Sequence, residues 1–398
     1  MKKANFFLIA LIAVALSSCD QLKKRIGGIN TEFALQSIFP VEGEPGISIK
    51  LRGYGFGTDS TQDVVLVNGV KATILHVSDT TIEALLPDNG AVTAQIRVLV
   101  KGIPSQGVIT FHYTDVYVTG SVTSLTGQSN ARLWKNGMII PIFSDTATNA
   151  LALAFDSGNL YVGTNGGYYK NATFVPLAKE NVVQDIKFHN NSIYVTALSG
   201  YYRDGVYTLL LKSGLTTPVF NSIAFDGDSM YVVGSYFYGL GAIEYKNDRR
   251  IPLTPNEFHG SAYVVTINDH EDYVGGEILA DNEGYEWVNA KGTAFPDLRD
   301  INDIVFRAGS EYDAVVSRYA NAMYVKDKVI IPIPDTTVSF FGSSLALTTN
   351  AIYIAGSQLA SKQQTKTDAV YYRNGKLVKL DKGQFNSARA NRILLVKR

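Results

Sequence analysis

The chain has 398 residues, and its 36 Lys+Arg are balanced by 36 Asp+Glu. That length admits two or more domains, and zero net charge argues against a nucleic-acid partner, which draws on a basic surface. Only 18% of residues are charged while 35 are Gly and 23 are Tyr, a balance that suits a turn-rich all-β protein and excludes a disordered one.

Lys2 and Lys3 are followed by an apolar run from Phe6 to Leu16 and then by Ser17-Ser18-Cys19. Eleven apolar residues are too few to span a bilayer and read as the core of an export signal. The small residues before the only cysteine resemble the lipobox of bacterial lipoproteins. The resemblance implies cleavage before Cys19, diacylglycerylation of its thiol and anchoring of the mature chain to a membrane by acyl chains. Residues 1–18 are thus expected to be a signal peptide and 19–33 a lipidated tether, in which Lys23-Lys24-Arg25 and Gly27-Gly28 make a solvated, flexible spacer. Asp20 would favour inner-membrane retention under the enterobacterial rule, which other phyla do not follow. The expected location is the cell envelope, with the outer membrane favoured over the inner membrane and the leaflet left open.

Residues 34–114 read as a small β-sandwich. Ile47, Ile49 and Leu51 alternate with polar residues, as do Ile96, Val98 and Val100, and Asn68-Gly69 after Val65 and Val67 is a hairpin signal. Pro40, Gly43, Pro45-Gly46, Gly53-Tyr54-Gly55-Phe56-Gly57, Val67-Asn68-Gly69, Ser78-Asp79-Thr80-Thr81-Ile82, Pro87, Phe111 and Tyr113 together resemble the IPT/TIG family of immunoglobulin-like domains. The resemblance implies a spacer or interaction module. The spaced glycines at 53, 55 and 57 are not a phosphate loop, because no helix follows them.

From residue 115 to 398 the sequence repeats. Tyr117, Tyr161, Tyr194, Tyr231, Tyr273, Tyr312 and Tyr353 each open a short apolar segment, at spacings of 44, 33, 37, 42, 39 and 41. A period near 40 built only of strands predicts a β-propeller. One repeat shows four strands: Ala150–Phe155, small and apolar for a crowded centre; Leu160–Thr164; Tyr168–Asn171; and Thr173–Leu177, where Pro176 suits an edge. Nothing before Tyr117 supplies an inner strand, and Ala388–Val396 is an inner strand with nothing after it. Joining the two predicts seven blades, closed by the C-terminal strand, a device that removes two exposed edges.

Chemistry is sparse. His189 sits in a His-Asn-Asn turn and is expected to be solvated; His270-Glu271-Asp272 reads as a polar turn; no zinc, calcium or serine-nucleophile motif occurs. Carboxylate pairs such as Asp300 with Asp303 are unremarkable in a chain this long. No cofactor and no metal are expected. Tyr168-Tyr169, Tyr201-Tyr202 and Tyr236-Phe237-Tyr238 follow the second strand of consecutive repeats. Neighbours along a strand face opposite ways, so Tyr168, Tyr201 and Tyr236 are candidate exposed rings for stacking on sugars; inter-blade packing accounts for the same residues. The whole pattern resembles Bacteroidetes lipoproteins that join IPT/TIG and propeller modules, some of which serve polysaccharide uptake. The resemblance implies a non-enzymatic surface binding protein with glycans as ligands. The alternatives are a scaffold for other envelope proteins and, third, a propeller hydrolase or lyase.

Overall fold

The computed structural model describes residues 33–398 except 145, 179–181, 211–217, 237–240, 255–258, 280–282, 297, 308–310, 319–320, 327–328, 334–337 and 362–365. The export signal and Cys19 lie outside the described residues, as do Phe237 and Tyr238. Every described regular element is a strand, and no described helix is long and apolar enough to cross a membrane. The chain forms two compact units, one ending at Tyr113 but including Arg398, the other running from Thr114 to Lys397.

The first unit is a two-sheet sandwich. One sheet orders strands Ala34–Phe39, Ser48–Tyr54, Thr81–Leu85 and Thr73–Ser78; the other runs from the start of Ile109–Thr123 through Thr93–Val100 to Asp63–Val67 and Val70–Lys71. Their inward residues, among them Ile49, Leu51, Val65, Val67, Ile82, Ile96 and Val98, are fully buried. Asn68 and Gly69 both have positive φ (50° and 83°), as the turn between Asp63–Val67 and Val70–Lys71 requires. Phe56 is buried in this core.

The second unit is a seven-bladed β-propeller. Blade I takes its inner strand from the C-terminus: Ser387–Lys397 pairs antiparallel with Ile109–Thr123, from Thr114 opposite Lys397 to Thr123 opposite Ser387. Ser129–Lys135 and Met138–Ile140 complete it. Blades II to VII follow in chain order, with inner strands Ala150–Asp156, Asp185–His189, Pro218–Asp226, Gly260–Asn268, Asp300–Phe306 and Phe340–Leu347. Each inner strand packs on the next, and that of blade VII packs on Ser387–Lys397, which in turn packs on Ala150–Asp156, so the ring is closed. The apolar clusters lie between blades: Ala152 and Tyr161 of blade II pack with Ile186, Val195 and Tyr202 of blade III.

The repeated motif residues have local physical roles. In blades I, II, IV and VII the asparagine after the third strand stands at positive φ in the tight turn (Asn136, Asn171, Asn247 and Asn374, φ 45° to 53°). Its side-chain oxygen accepts the N–H that opens the second strand: Val116 N–H to Asn136 at 2.8 Å, Met230 to Asn247 at 2.7 Å and Ile352 to Asn374 at 2.9 Å. Asp204 does the same for Ile193. The tyrosine that opens the second strand lies under the cation that closes the third, as with Lys135 on Tyr117, Lys170 on Tyr161 and Arg203 on Tyr194. One register differs from the sequence expectation. In blade VI it is Asp313, not Tyr312, that faces the closing lysine, Lys326, as Tyr161 faces Lys170. The one-residue slip turns Tyr312 into the neighbouring core and sends Asp313 to bond Arg307 and Tyr324.

Candidate functional site: an aromatic cleft between blades

Tyr168 lies in a cleft of about 570 Å³ between blades II and III, at the end of the ring where the inner strands finish. Its ring stands 6.1 Å from that of Tyr161, which meets Phe188 of blade III at 4.7 Å and 59°. These rings alternate along the blade because the third strand pairs Tyr168 with Gly163 and Tyr169 with Val162, which turns Tyr169 into the core and leaves Tyr168 half-buried at the opening. Burial raises the Tyr168 phenol above its ordinary pKa, so it stays neutral at physiological pH. Lys170, Asp204, Asn190 and Asn191 form a polar rim. The Ile193 N–H and the Ser192 hydroxyl hold the Asp204 carboxyl below its usual range, so it is ionised. The half-buried Tyr168 ring, with a rim of donors and acceptors around it, offers an aromatic surface for a pyranose ring, whose faces are apolar and whose edge is polar.

Blade III repeats the arrangement. Tyr194 meets Phe225 at 4.6 Å and 58°, with Tyr201 at 6.1 Å, half-buried. Tyr236 does not join them. It ends the second strand of blade IV, opposite Pro218, and is buried at 6% exposure among Phe220 and Tyr245. The residue that shares the register of Tyr168 and Tyr201 in blade IV is Glu244, opposite Val233, and in blade V it is Glu286, opposite Gly275. The arc of half-exposed tyrosines therefore spans two blades, and inter-blade packing claims much of both rings.

His189 also departs from expectation. It ends the inner strand of blade III and lines the cleft, and its ring stacks on Phe225 at 4.4 Å and 2°. Its Nε2 is buried and meets no partner among the described residues. The stacking platform comes from blade IV, which a reading of the local His-Asn-Asn sequence does not reveal.

Two further features escaped sequence reasoning. Asp185 and Asp303, at the channel wall of blades III and VI, bind the following blades: Ser222 Oγ and Ile223 N–H donate to Asp185 at 3.0 and 3.2 Å, and Ser344 Oγ and Leu345 N–H donate to Asp303 at 2.9 Å each. Glu244 is 1% exposed, and its carboxyl is pushed up to about 7, first by burial and then by the charge of Asp272. Glu244 Oε2 and Asp272 Oδ2 have no hydrogen-bond partner among the described residues. No described cluster of three or more His, Cys, Asp or Glu side chains is placed to hold a metal.

Residues 34–113 match the IPT/TIG domain family. No curated protein matches the chain. Among solved structures, an auxiliary nutrient binding protein from Bacteroides ovatus ATCC 8483 is 13% identical, with a TM-score of 0.40 over 93% of this chain and 99% of its own. Another protein of that description from Bacteroides thetaiotaomicron VPI-5482 is 11% identical, with a TM-score of 0.39 over 92% and 98%. The dihydro-heme d1 dehydrogenase NirN is also 11% identical, with a TM-score of 0.39 over 84% and 76%. At these values none of the likenesses carries a functional argument.

Proposed function

We propose that the protein is a non-enzymatic, lipid-anchored envelope protein whose propeller binds carbohydrate in the cleft between blades II and III. The observation that carries this reading is the cleft itself, floored by Tyr161, Tyr168 and Phe188 and rimmed by Lys170, Asp204 and Asn190. The IPT/TIG domain is the spacer that follows the tether. Tyr201 supplies a weaker second contact one blade on, so a polysaccharide chain engages two sites and gains avidity from their linkage.

The test is affinity-gel electrophoresis and a glycan array with the soluble chain beginning at Asp20. Tyr168→Ala should weaken binding about tenfold, equivalent to ~1.4 kcal/mol, and Tyr201→Ala should weaken it less. Tyr236→Ala should lower the melting temperature and leave binding to the folded fraction unchanged. Binding that survives intact in folded Tyr168→Ala removes the cleft from the site.

The anchor is tested separately. Cys19→Ala should leave the precursor uncleaved and abolish incorporation of labelled palmitate. Label that still enters the variant overturns the lipoprotein reading, and accessibility to protease on whole cells decides whether the outer surface is the location.

One observation favours a protein partner as a second reading. The outer strand of blade VI, Val329–Pro332, is exposed along its whole length, with Val329 61% exposed. An apolar edge of this kind is a template for another chain. Glycan arrays without a hit, together with saturable binding of a purified envelope protein, would favour it.

A further inference from the structure

The inner strands carry a second pattern at the opposite end of the ring. In six of the seven blades the pairing of the inner strand with its neighbour skips one residue near the strand's start. The skipped residues are Leu151, Asn221, Tyr263, Asn302, Ser343 and Asn391. Blade III has Gln184 at the same place, just before Asp185–His189. A bulged residue leaves the ladder and re-aims its side chain, and here all seven side chains line one mouth of the central channel, around a cavity of about 230 Å³.

The polar members are held in place by the ring. Asn221 Nδ2 donates to the carbonyl of Ala262 at 2.8 Å, Asn302 Nδ2 to that of Gly342 at 3.1 Å, Ser343 Oγ to that of Ala390 at 2.8 Å and Asn391 Nδ2 to that of Ala150 at 2.8 Å. Each acceptor is the residue directly before the next blade's bulge. With the amide nitrogens committed, the oxygens of Asn221, Asn302 and Asn391 remain as acceptors, and no donor among the described residues reaches them. The Tyr263 hydroxyl donates to Glu277, which fixes the direction of its ring at the mouth.

We propose that this mouth is a second binding site, for a single uncharged sugar ring, whose hydroxyls donate to the three amide oxygens while one face rests on Tyr263. The chemistry selects this class. The three amide oxygens offer an anion no donor and leave an apolar ligand with unpaired acceptors, and the guanidinium of Arg392, which lines the same mouth 3.9 Å from Asp303, works against a cation. A cavity of about 230 Å³ is also smaller than the ~300–1,000 Å³ of sites for larger ligands. Groups already oriented by their own hydrogen bonds bind without further ordering cost.

The site is independent of the cleft between blades II and III, and the experiment separates them. Saturation-transfer NMR and calorimetry on the soluble chain, with glucose, galactose, mannose and N-acetylglucosamine as probes, should show at least one monosaccharide binding with a millimolar or tighter Kd. Leu151→Trp, which fills the mouth without touching the amide clamps, should weaken that binding tenfold or more, as should Tyr263→Ala, while Tyr168→Ala leaves it unchanged. No binding by any of the four sugars, or undiminished binding in either folded mouth variant, overturns the proposal; loss of polymer binding in Tyr168→Ala alone bears only on the cleft.

Discussion

Deleting Ser387–Arg398 should abolish cooperative folding of the propeller. The strand supplies the whole inner edge of blade I and packs between blades II and VII. Ala388, Ala390, Ile393 and Val396 are buried in it, and Leu395 packs against the same core. Its carbonyl at Ala390 and its Asn391 side chain also tie blades VII and II to blade I. At ~1.5–3 kcal/mol for each large apolar side chain fully withdrawn from water, the buried Ile393 and Val396 with the half-buried Leu394 and Leu395 contribute about 4–9 kcal/mol, against a typical total stability of ~5–15 kcal/mol. Differential scanning calorimetry should show the propeller transition lost or moved down by tens of degrees. An unchanged midpoint would mean that the ring does not depend on its C-terminal strand.

Glu244→Gln should stabilise the protein in mildly alkaline buffer and do little in acid. The folded carboxyl titrates at about 7, against a model-peptide value of 4.5, so folding favours its protonated form. Its contribution is fully present below about 4.5 and is lost as pH rises through 7. The groups that bear on it are Asp272, whose own carboxyl is raised by burial, and Lys246, which partly offsets both. A glutamine cannot ionise, so the substitution removes the repulsion from Asp272. At ~1.4 kcal/mol per pKa unit, the variant should gain about 2–3 kcal/mol at pH 8, seen as a rise of several degrees in Tm for a unit of this size, with little difference at pH 4.5. An equal shift at both pH values would assign the effect to packing rather than to the charge.

The two effects differ in how visible they were beforehand. The C-terminal strand was legible because a propeller repeat has four parts and the chain begins its second unit with only three. Glu244 was invisible. Nothing in Ile243-Glu244-Tyr245 marks it as different from the exposed carboxylates elsewhere, and its burial is decided by blade V closing over it. Tyr168 and Tyr201 share a register within their own strands, so their equivalence followed from spacing. Tyr236 stands one strand earlier, and a cluster of aromatics after an apolar run does not say which strand it belongs to.

By itself the sequence determined the all-β class, the repeat of about 40 residues, the Asn68-Gly69 hairpin and the closing strand. These depend on local rules: alternation of side chains along a strand, positive φ at tight turns and the need to pair every strand edge. The tertiary structure decided which side of a half-buried tyrosine reaches solvent, that His189 stacks on a ring from the next blade, that Asp313 and not Tyr312 faces the closing lysine, and that six bulges converge on one channel mouth. The deciding partners stand 13 positions apart for Asp313 and Lys326, 36 for His189 and Phe225 and 241 for Asn391 and Ala150, and the distant ones meet because the blades pack into a closed ring.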